Sequence, residues 1–146
     1  MAEMIFYGPL MKNYQVSSVY IGGGTPSSID ELWIAALMEG VFDCFNVLPD
    51  AEISIECNPG TLSREKLLAY RDAGINRLSI GLQSANNDEL KLLGRIHTFE
   101  QFVTNYEVAR NEGFKNINVD IIYELPGQSA SQYKTTINNI KNLHTN

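Results

Sequence analysis

The stretch Tyr20-Ile21-Gly22-Gly23-Gly24-Thr25-Pro26-Ser27 is the best guide to the architecture of this chain. It closes an apolar run, Val16–Ile21, and precedes a helix-like pattern that starts near Asp30. Three consecutive glycines leave backbone N–H and C=O groups bare, so a ligand can approach the main chain more closely than any Cβ would allow. A strand that ends in such a loop and leads into a helix is where open α/β sheets and α/β barrels bind their ligands.

Four β-like runs alternate with helix-like stretches along the chain. The runs are rich in Ile, Val, Leu or Tyr, and cap residues such as Asp30 and Ser63 precede the helical patterns. This alternation predicts a parallel sheet with right-handed crossovers. The predicted strands are Val16–Ile21, Ala51–Cys57, Arg77–Leu82 and Asn116–Tyr123, and the predicted helices are Glu31–Asn46, Arg64–Ala73, Asn87–Leu93, Phe99–Glu112 and Ala130–Leu143. In the first of these helices, the apolar stripe is predicted to comprise Leu32, Ala35, Ala36, Met38 and Phe42.

The last three predicted strands each combine an apolar face with a polar face. Successive side chains of a strand point to opposite faces, and the polar positions include Glu56, Gln83 and Asp120 at or near the strand ends. A packed barrel interior would carry Val, Ile or Leu at such positions. Because a buried carboxylate without a partner is costly, we expect Glu56 and Asp120 to have partners from the protein or from a polar ligand.

The composition is that of a globular protein with one domain. The chain has 146 residues, of which 44% are hydrophobic and 19% charged. A net charge of −6 argues against a nucleic-acid or anionic-membrane surface, and no apolar run approaches the length of a membrane span. The start, Met1–Ile5, lacks the basic region of a signal peptide. The two cysteines, Cys44 and Cys57, are expected to be buried reduced thiols, which fits a cytoplasmic protein.

Most of the candidate site residues also have a purely structural explanation, and Asp120 inside Asn116–Tyr123 is the hardest to explain in that way. The glycine loop could be a tight turn, Glu56 could cap the turn at Asn58-Pro59-Gly60, and Gln83 could bond to backbone. Arg95 could be a surface arginine, and His97 a surface or helix-capping histidine and not a metal ligand. Taken together, however, the polar groups fall at or near successive strand ends on one edge of the sheet, which is the layout of a site built from βα loops.

Five sequence segments together indicate a known protein family. GGGTPS, IECNPGT, RLSIGLQS, LGRIHT and NVDIIYELPGQ, in this order and spacing, resemble the radical S-adenosylmethionine (SAM) enzymes of the oxygen-independent coproporphyrinogen III oxidase family. The IECNPGT and LGRIHT segments are more similar to the oxidase-like branch, which includes heme chaperones. The resemblance extends from Ser17 to Leu143. It implies an α/β fold, a partial barrel of about four parallel strands with flanking helices, over residues 16–146 after an N-terminal segment, residues 1–15.

The resemblance also implies two cofactors, SAM and a [4Fe–4S] cluster that cleaves SAM reductively. Within the SAM site, the three loop residues would hold the methionyl amino group through main-chain contacts, and the glutamate would lie beside it. The arginine would pair with the SAM carboxylate, while the glutamine and the aspartate would bond to ribose hydroxyls. The implied SAM-binding residues are Gly23, Gly24, Thr25, Glu56, Gln83, Arg95 and Asp120.

Two departures from the family pattern matter. The cluster motif C-x3-C-x2-C is absent, and Cys44 and Cys57 match neither its spacing nor its location. We therefore expect a piece of a longer protein, holding barrel units two to five, which forms no 5′-deoxyadenosine from SAM by itself. Second, Glu124 stands where the family usually has Gly before Leu-Pro.

The resemblance leaves two functions open for the parent protein. One is oxidative decarboxylation of porphyrinogen propionates in heme biosynthesis, and the other is the role of a heme chaperone that binds heme and SAM. A small doubly wound module that binds a nucleotide is a weaker alternative, because neither G-x-G-x-x-G nor G-x4-G-K-[ST] occurs. An incomplete barrel has open strand edges, so we also expect homo-oligomers formed through them.

Overall fold

The computed structural model describes residues 1–143 and forms a parallel sheet covered by helices. The strands are β1 (Val16–Ile21), β2 (Val47–Cys57), β3 (Arg77–Gln83) and β4 (Asn116–Ile121). The helices are α1 (Ala2–Met11), α2 (Glu31–Cys44), α3 (Arg64–Asp72), α4 (Asn87–Leu92), α5 (Phe99–Asn111) and α6 (Ala130–Leu143). None of the helices within residues 1–143 is long and apolar enough to cross a membrane.

The order of the strands in the sheet is β1-β2-β3-β4, and every neighbouring pair is parallel. The chain therefore winds in one direction, as in a barrel. A doubly wound sheet would instead reverse its strand order at a switch point. The predicted fold class, an incomplete barrel of four parallel strands with flanking helices, is confirmed, and the doubly wound alternative is wrong.

Most predicted boundaries agree with the structure to within two residues, and the start of one strand differs more. Strand β2 begins at Val47, four residues before the predicted start. Strand β4 ends at Ile121, so that Ile122 and Tyr123, predicted as strand, lie in the following loop with 40% and 65% of their surface exposed. The Ile122 N–H still donates to the Gln83 carbonyl at 2.9 Å, but β3 ends at Gln83, the partner of Ile121, so the pairing of the two strands stops there.

The predicted apolar stripe of α2 is wrong in two positions. Leu32 is 74% exposed and Phe42 is 46% exposed, whereas Ile34 and Met38 are buried in the core and Val41 packs against it. Both sets of residues recur at helical spacing. Which of the two sets is buried depends on how α2 packs against the sheet.

The N-terminal segment contains a helix, α1, that the sequence did not predict. Gly8 and Pro9 lie inside it, and both residue types disfavour a helix interior. Tertiary contact supports this helix, since a Cβ on Gly8 would lie 2.7 Å from the carbonyl oxygen of Cys44 at the end of α2. The glycine thus allows α1 to approach α2 closely.

The core lies between the sheet and the helices. The strand positions predicted to be apolar face the helices, and the opposite face of the sheet carries the polar positions. The core residues with at most 5% of their surface exposed include Ile53, Ile55, Leu78, Ile80 and Leu82 from the strands and Leu67, Tyr70, Phe102 and Tyr106 from the helices. The polar face is therefore free to build a site.

Candidate ligand-binding site

A cleft of about 210 Å³ opens at the carboxyl ends of the strands. The structure brings six of the seven predicted site residues together along its walls, and the seventh, Gly23, touches one of them. The six are Gly24, Thr25, Glu56, Gln83, Arg95 and Asp120. Asn58, Ser79 and Gly81 also line the cleft and were not among the predicted site residues.

The glycine loop is bound to Glu56. The Gly23 N–H donates to Glu56 Oε2 at 3.1 Å, and the Tyr20 hydroxyl donates to Glu56 Oε1 at 2.8 Å. This hydrogen bond to a carboxylate raises the pKa of Tyr20. A Cβ on Gly22 would lie 2.7 Å from the Tyr20 ring, while Gly23 and Gly24 have φ angles of +93° and +63°. Each glycine therefore has a steric or conformational reason to be glycine.

The structural alternative for Glu56, that it caps the turn after β2, is wrong. The Asn58 side chain caps this turn, accepting from the Gly60 N–H at 3.1 Å. Glu56 is half-buried and lines the cleft, so its carboxylate is available to a ligand.

Asp120 has protein partners as expected, although its side chain is exposed and not buried. Ser79 Oγ donates to one carboxylate oxygen at 2.8 Å, and Asn118 Nδ2 donates to the other at 2.7 Å. Ser79 and Asn118 are opposite each other in the β3–β4 register. Each carboxylate oxygen keeps acceptor capacity for a ligand. The period-two polar face was the sequence signal that could have identified Ser79.

Gln83 adopts an unusual backbone conformation at the end of β3. Its φ angle is +72°, and the β3–β4 register shifts between Gly81 and Gln83. A Cβ on Gly81 would lie 2.7 Å from Gln83 Nε2 and 3.3 Å from Arg95 Nη2. Gly81 therefore leaves the space that both side chains occupy. A non-glycine residue at positive φ is strained, and such strain is concentrated at functional sites.

Arg95 places a positive charge in the cleft. It is half-buried, Nη2 donates to the Gly81 carbonyl at 3.0 Å, and Nε is buried without a hydrogen-bond partner among the described residues. Burial lowers the pKa of Arg95, yet a guanidinium stays charged at neutral pH. An unsatisfied, partly desolvated guanidinium fits a carboxylate or phosphate ligand. The surface alternative for Arg95 is wrong.

His97 is neither a surface residue nor a helix cap. It is 3% exposed, with Nε2 3.2 Å from the Leu82 carbonyl and Nδ1 3.2 Å from Asn58 Oδ1, while Thr98 caps α5. Both surface alternatives for His97 are therefore wrong, because its ring is buried among polar contacts within the protein. Within residues 1–143, no group of three His, Cys, Asp or Glu side chains could hold a metal ion.

The burial of His97 predicts a pH-dependent stability. Burial lowers the pKa of His97, and the nearby positive charge of Arg95 lowers it further, while the hydrogen bond to the Leu82 carbonyl acts in the opposite direction. The unfolded state therefore binds more protons than the folded state as the pH falls below about 6.5, and the free energy of unfolding decreases. Urea denaturation between about pH 5 and pH 8 should show this decrease. In His97→Gln the decrease should be smaller, and an equal slope in both proteins would contradict the assignment.

The cysteines do not fit an iron–sulfur cluster. Burial raises the pKa of the Cys57 thiol to about 12, so it stays protonated at neutral pH. Cys44 is a half-buried residue at the end of α2. Fe–S clusters need several thiolates at one place. This chain therefore supplies no cluster ligand set within the described residues, and the expectation of a buried thiol is confirmed for Cys57 only.

Glu124 has a backbone conformation that explains why glycine suits its position. Its φ angle is +59°, in the left-handed region, and its side chain is exposed. We predict that Glu124→Gly raises the free energy of unfolding by about 1 kcal/mol, because glycine adopts this conformation without strain. The matched control is Glu107→Gly in α5, which should lower stability by about 1 kcal/mol. Thermal denaturation measures both, and destabilisation by Glu124→Gly would contradict the prediction.

Comparisons with known proteins agree on a family. A profile described as the Radical SAM superfamily matches residues 9–140. The heme chaperone HemW of Bacillus subtilis (strain 168) is 38% identical over 129 residues, which are 88% of this chain and 34% of that protein. The oxygen-independent coproporphyrinogen-III oxidase-like protein HemZ of the same organism is 35% identical over 145 residues, 97% of this chain and 29% of that protein.

A solved structure has the same architecture. Coproporphyrinogen III oxidase (HemN) from Escherichia coli, described as a radical SAM enzyme, superposes with a TM-score of 0.89 at 34% identity. The match covers 97% of this chain and 32% of that one. The chain therefore spans about a third of the length of the relatives it matches.

Proposed function

Because the chain belongs to the Radical SAM superfamily, we propose that its cleft is the SAM-binding site of the parent protein. The family resemblance inferred from the five motifs is confirmed, since the relatives include oxidase-like and heme-chaperone proteins. In full-length radical SAM proteins, a bound [4Fe–4S] cluster would supply the electron for the reductive cleavage of SAM, and SAM would supply the fragment that abstracts a hydrogen atom.

One observation carries the proposal. The cleft combines a guanidinium, two carboxylates and a glycine loop at the ends of parallel strands. SAM carries an ammonium group, a carboxylate and two ribose hydroxyls, and each has a complementary group here. Arg95, which lines the cleft, would pair with the carboxylate, and the main chain of Gly23–Thr25, with Glu56, would receive the ammonium group.

The remaining cleft residues suit the ribose. Asp120 accepts one hydrogen bond at each carboxylate oxygen and can accept more. Gln83 offers both a donor and an acceptor from the neighbouring strand, β3. Together they would bind and orient the ribose hydroxyls, which fixes the direction of the nucleoside in the cleft.

The test is a titration of the 146-residue chain with SAM, followed by ¹⁵N–¹H NMR. We expect weak binding, with shifts at the amides of Gly23, Gly24, Gln83 and Arg95, because the chain has no cluster to chelate the cofactor. A mixture of adenosine and methionine serves as the control. The absence of shifts at millimolar SAM, or shifts confined to other surfaces, would reject the proposal. With a chemical reductant the chain should form no 5′-deoxyadenosine.

For the parent protein we propose a SAM-dependent role in porphyrin or heme metabolism, with two candidates. The structural match to the coproporphyrinogen III oxidase of E. coli supports oxidative decarboxylation of a porphyrinogen. The similarity to the B. subtilis heme chaperone supports a chaperone that binds heme. Heme titration of the full-length protein, set against an assay for porphyrinogen decarboxylation, distinguishes the two. We place both in the cytoplasm, where free thiols stay reduced.

We also propose that the chain self-associates through its sheet edges. Within the described residues, β1 pairs only with β2 and β4 pairs only with β3. Such edges expose unpaired backbone groups that seek a partner strand. Light scattering should give a mass above that of the monomer. If the association used the exposed side chain of Phe6 on α1 instead, Phe6→Glu would disrupt it. Association through the sheet edges should remain intact in this variant. A monomer at every concentration would contradict this proposal.

A further inference from the structure

His97 is buried at the junction of several loops of the cleft. Its Nε2 lies 3.2 Å from the carbonyl oxygen of Leu82, which precedes Gln83 at the end of β3. Its Nδ1 lies 3.2 Å from the side-chain oxygen of Asn58 in the loop after β2. His97 itself follows Arg95 by two residues. One ring therefore touches the cleft residue Asn58 and the immediate neighbour of Gln83, and it lies two residues from Arg95.

The contacts continue into the glycine loop. The Asn58 N–H donates to Ser27 Oγ at 2.9 Å, and Ser27 Oγ lies 2.6 Å from Thr61 Oγ1. Ser27 is fully buried and follows Thr25 by two residues. Lys66 Nζ also donates to the Ser27 carbonyl at 2.7 Å. A chain of contacts thus runs from the end of β3 to the loop after β1: one ring nitrogen of neutral His97 donates to the Leu82 carbonyl, the other packs against the Asn58 side chain, and Asn58 donates to Ser27.

The segment most in need of such support is the end of β3. Gln83 has a positive φ angle, which persists only where neighbouring contacts hold it. Two contacts flank it, the Leu82 carbonyl with His97 and the Gln83 carbonyl with the Ile122 N–H at 2.9 Å. An apolar residue could fill the same volume, but it would leave the Leu82 carbonyl without this donor.

We propose that His97 is a positioning residue that holds the loops after β1, β2 and β3, together with Arg95, in the arrangement that binds the ligand. The proposal rests on the cleft being the SAM site. His97 does not touch the ligand. It acts through Leu82 on Gln83 and through Asn58 on the glycine loop.

Three substitutions separate the two links. His97→Leu removes both, His97→Gln keeps a donor for the Leu82 carbonyl, and His97→Asn keeps a polar group facing Asn58. Hydrogen exchange of backbone amides reports each link, because the Gly60 N–H bonds to the Asn58 side chain and the Ile122 N–H bonds to Gln83. We expect faster exchange at both amides in His97→Leu, but at Gly60 alone in His97→Gln. The core amide of Ile80 should be unchanged.

SAM affinity is the second readout. Loss of one ordering contact should weaken binding about tenfold in His97→Leu, with partial recovery in His97→Gln. The matched control is Asn76→Ala at the opposite end of the sheet, where the Asn76 side chain bonds to Ile53 N and Ala51 O. This variant should lose stability while keeping its SAM affinity.

The outcomes are distinguishable. Unchanged exchange at Gly60 and Ile122 in a folded His97→Leu protein, or wild-type SAM affinity, overturns the positioning role. So does an equal loss of protection at Ile80, since that would reflect global destabilisation. If the wild-type chain does not bind SAM, the SAM site itself is rejected, and the exchange pattern still decides whether His97 links the loops.

Discussion

Arg95→Ala is expected to lower the affinity of the chain for SAM by about 10- to 100-fold. A hydrogen bond to a charged partner contributes about 1.5–3 kcal/mol, and about 1.4 kcal/mol corresponds to one factor of ten in affinity. The guanidinium is half-buried in the cleft and keeps an unpartnered Nε, so solvent screens it less than a surface charge. NMR titration of both proteins measures the ratio.

Two controls make this result specific. Lys91→Ala removes the same charge from an exposed position on α4, 78% of whose side chain is accessible, and should leave SAM affinity within about twofold. Arg95→Lys keeps the charge but lacks the planar fork that a carboxylate matches, so it should recover only part of the affinity. If Lys91→Ala weakened binding as much as Arg95→Ala, the effect would come from net charge, and the proposed contact would be wrong.

Phe102→Ala is expected to lower the free energy of unfolding by about 3–5 kcal/mol, because removing a buried aromatic ring leaves a cavity that the core refills only in part. Phe102 is fully buried on α5, with its ring centroid 6.1 Å from that of Phe99 and 6.0 Å from that of Tyr106. Since the whole stability of a domain is about 5–15 kcal/mol, this variant should be near its unfolding threshold.

Urea denaturation measures this loss, and Phe6→Ala is its control. Phe6 is 67% exposed on α1, so its truncation should change stability by less than about 0.5 kcal/mol. A loss below about 1 kcal/mol for Phe102→Ala would mean that α5 does not close the core as described.

Much of the fold could be predicted because strand and helix periods differ. The alternation of Ile53, Ile55 and Cys57 with polar residues identified both the strand and its core face, and Leu78 and Ile80 did so for the next strand. The predicted apolar stripe of α2 was wrong in two positions because two sets of apolar residues in this helix recur with the helical period. Helix α1 was missed because Gly8 and Pro9 act locally against a helix that packing against Cys44 supports.

The candidate site shows the same division. Glu56, Gln83 and Asp120 were found from the residues because each ends or nearly ends a strand on the polar face. Their hydrogen-bond partners were not singled out, since Tyr20 and Ser79 reach them only across neighbouring strands.

The residues alone determined the alternation of strands and helices, the polar face of the sheet and the candidate residues at its edge, because these depend on local period and spacing. Only the tertiary structure decided that His97 is buried between Leu82 and Asn58, that Arg95 lies in the cleft, and which face of α2 meets the core. These properties depend on contacts between segments distant in the sequence. The hydrophobic effect is non-directional, so only the packing of the helices on the sheet determines which apolar surfaces are buried.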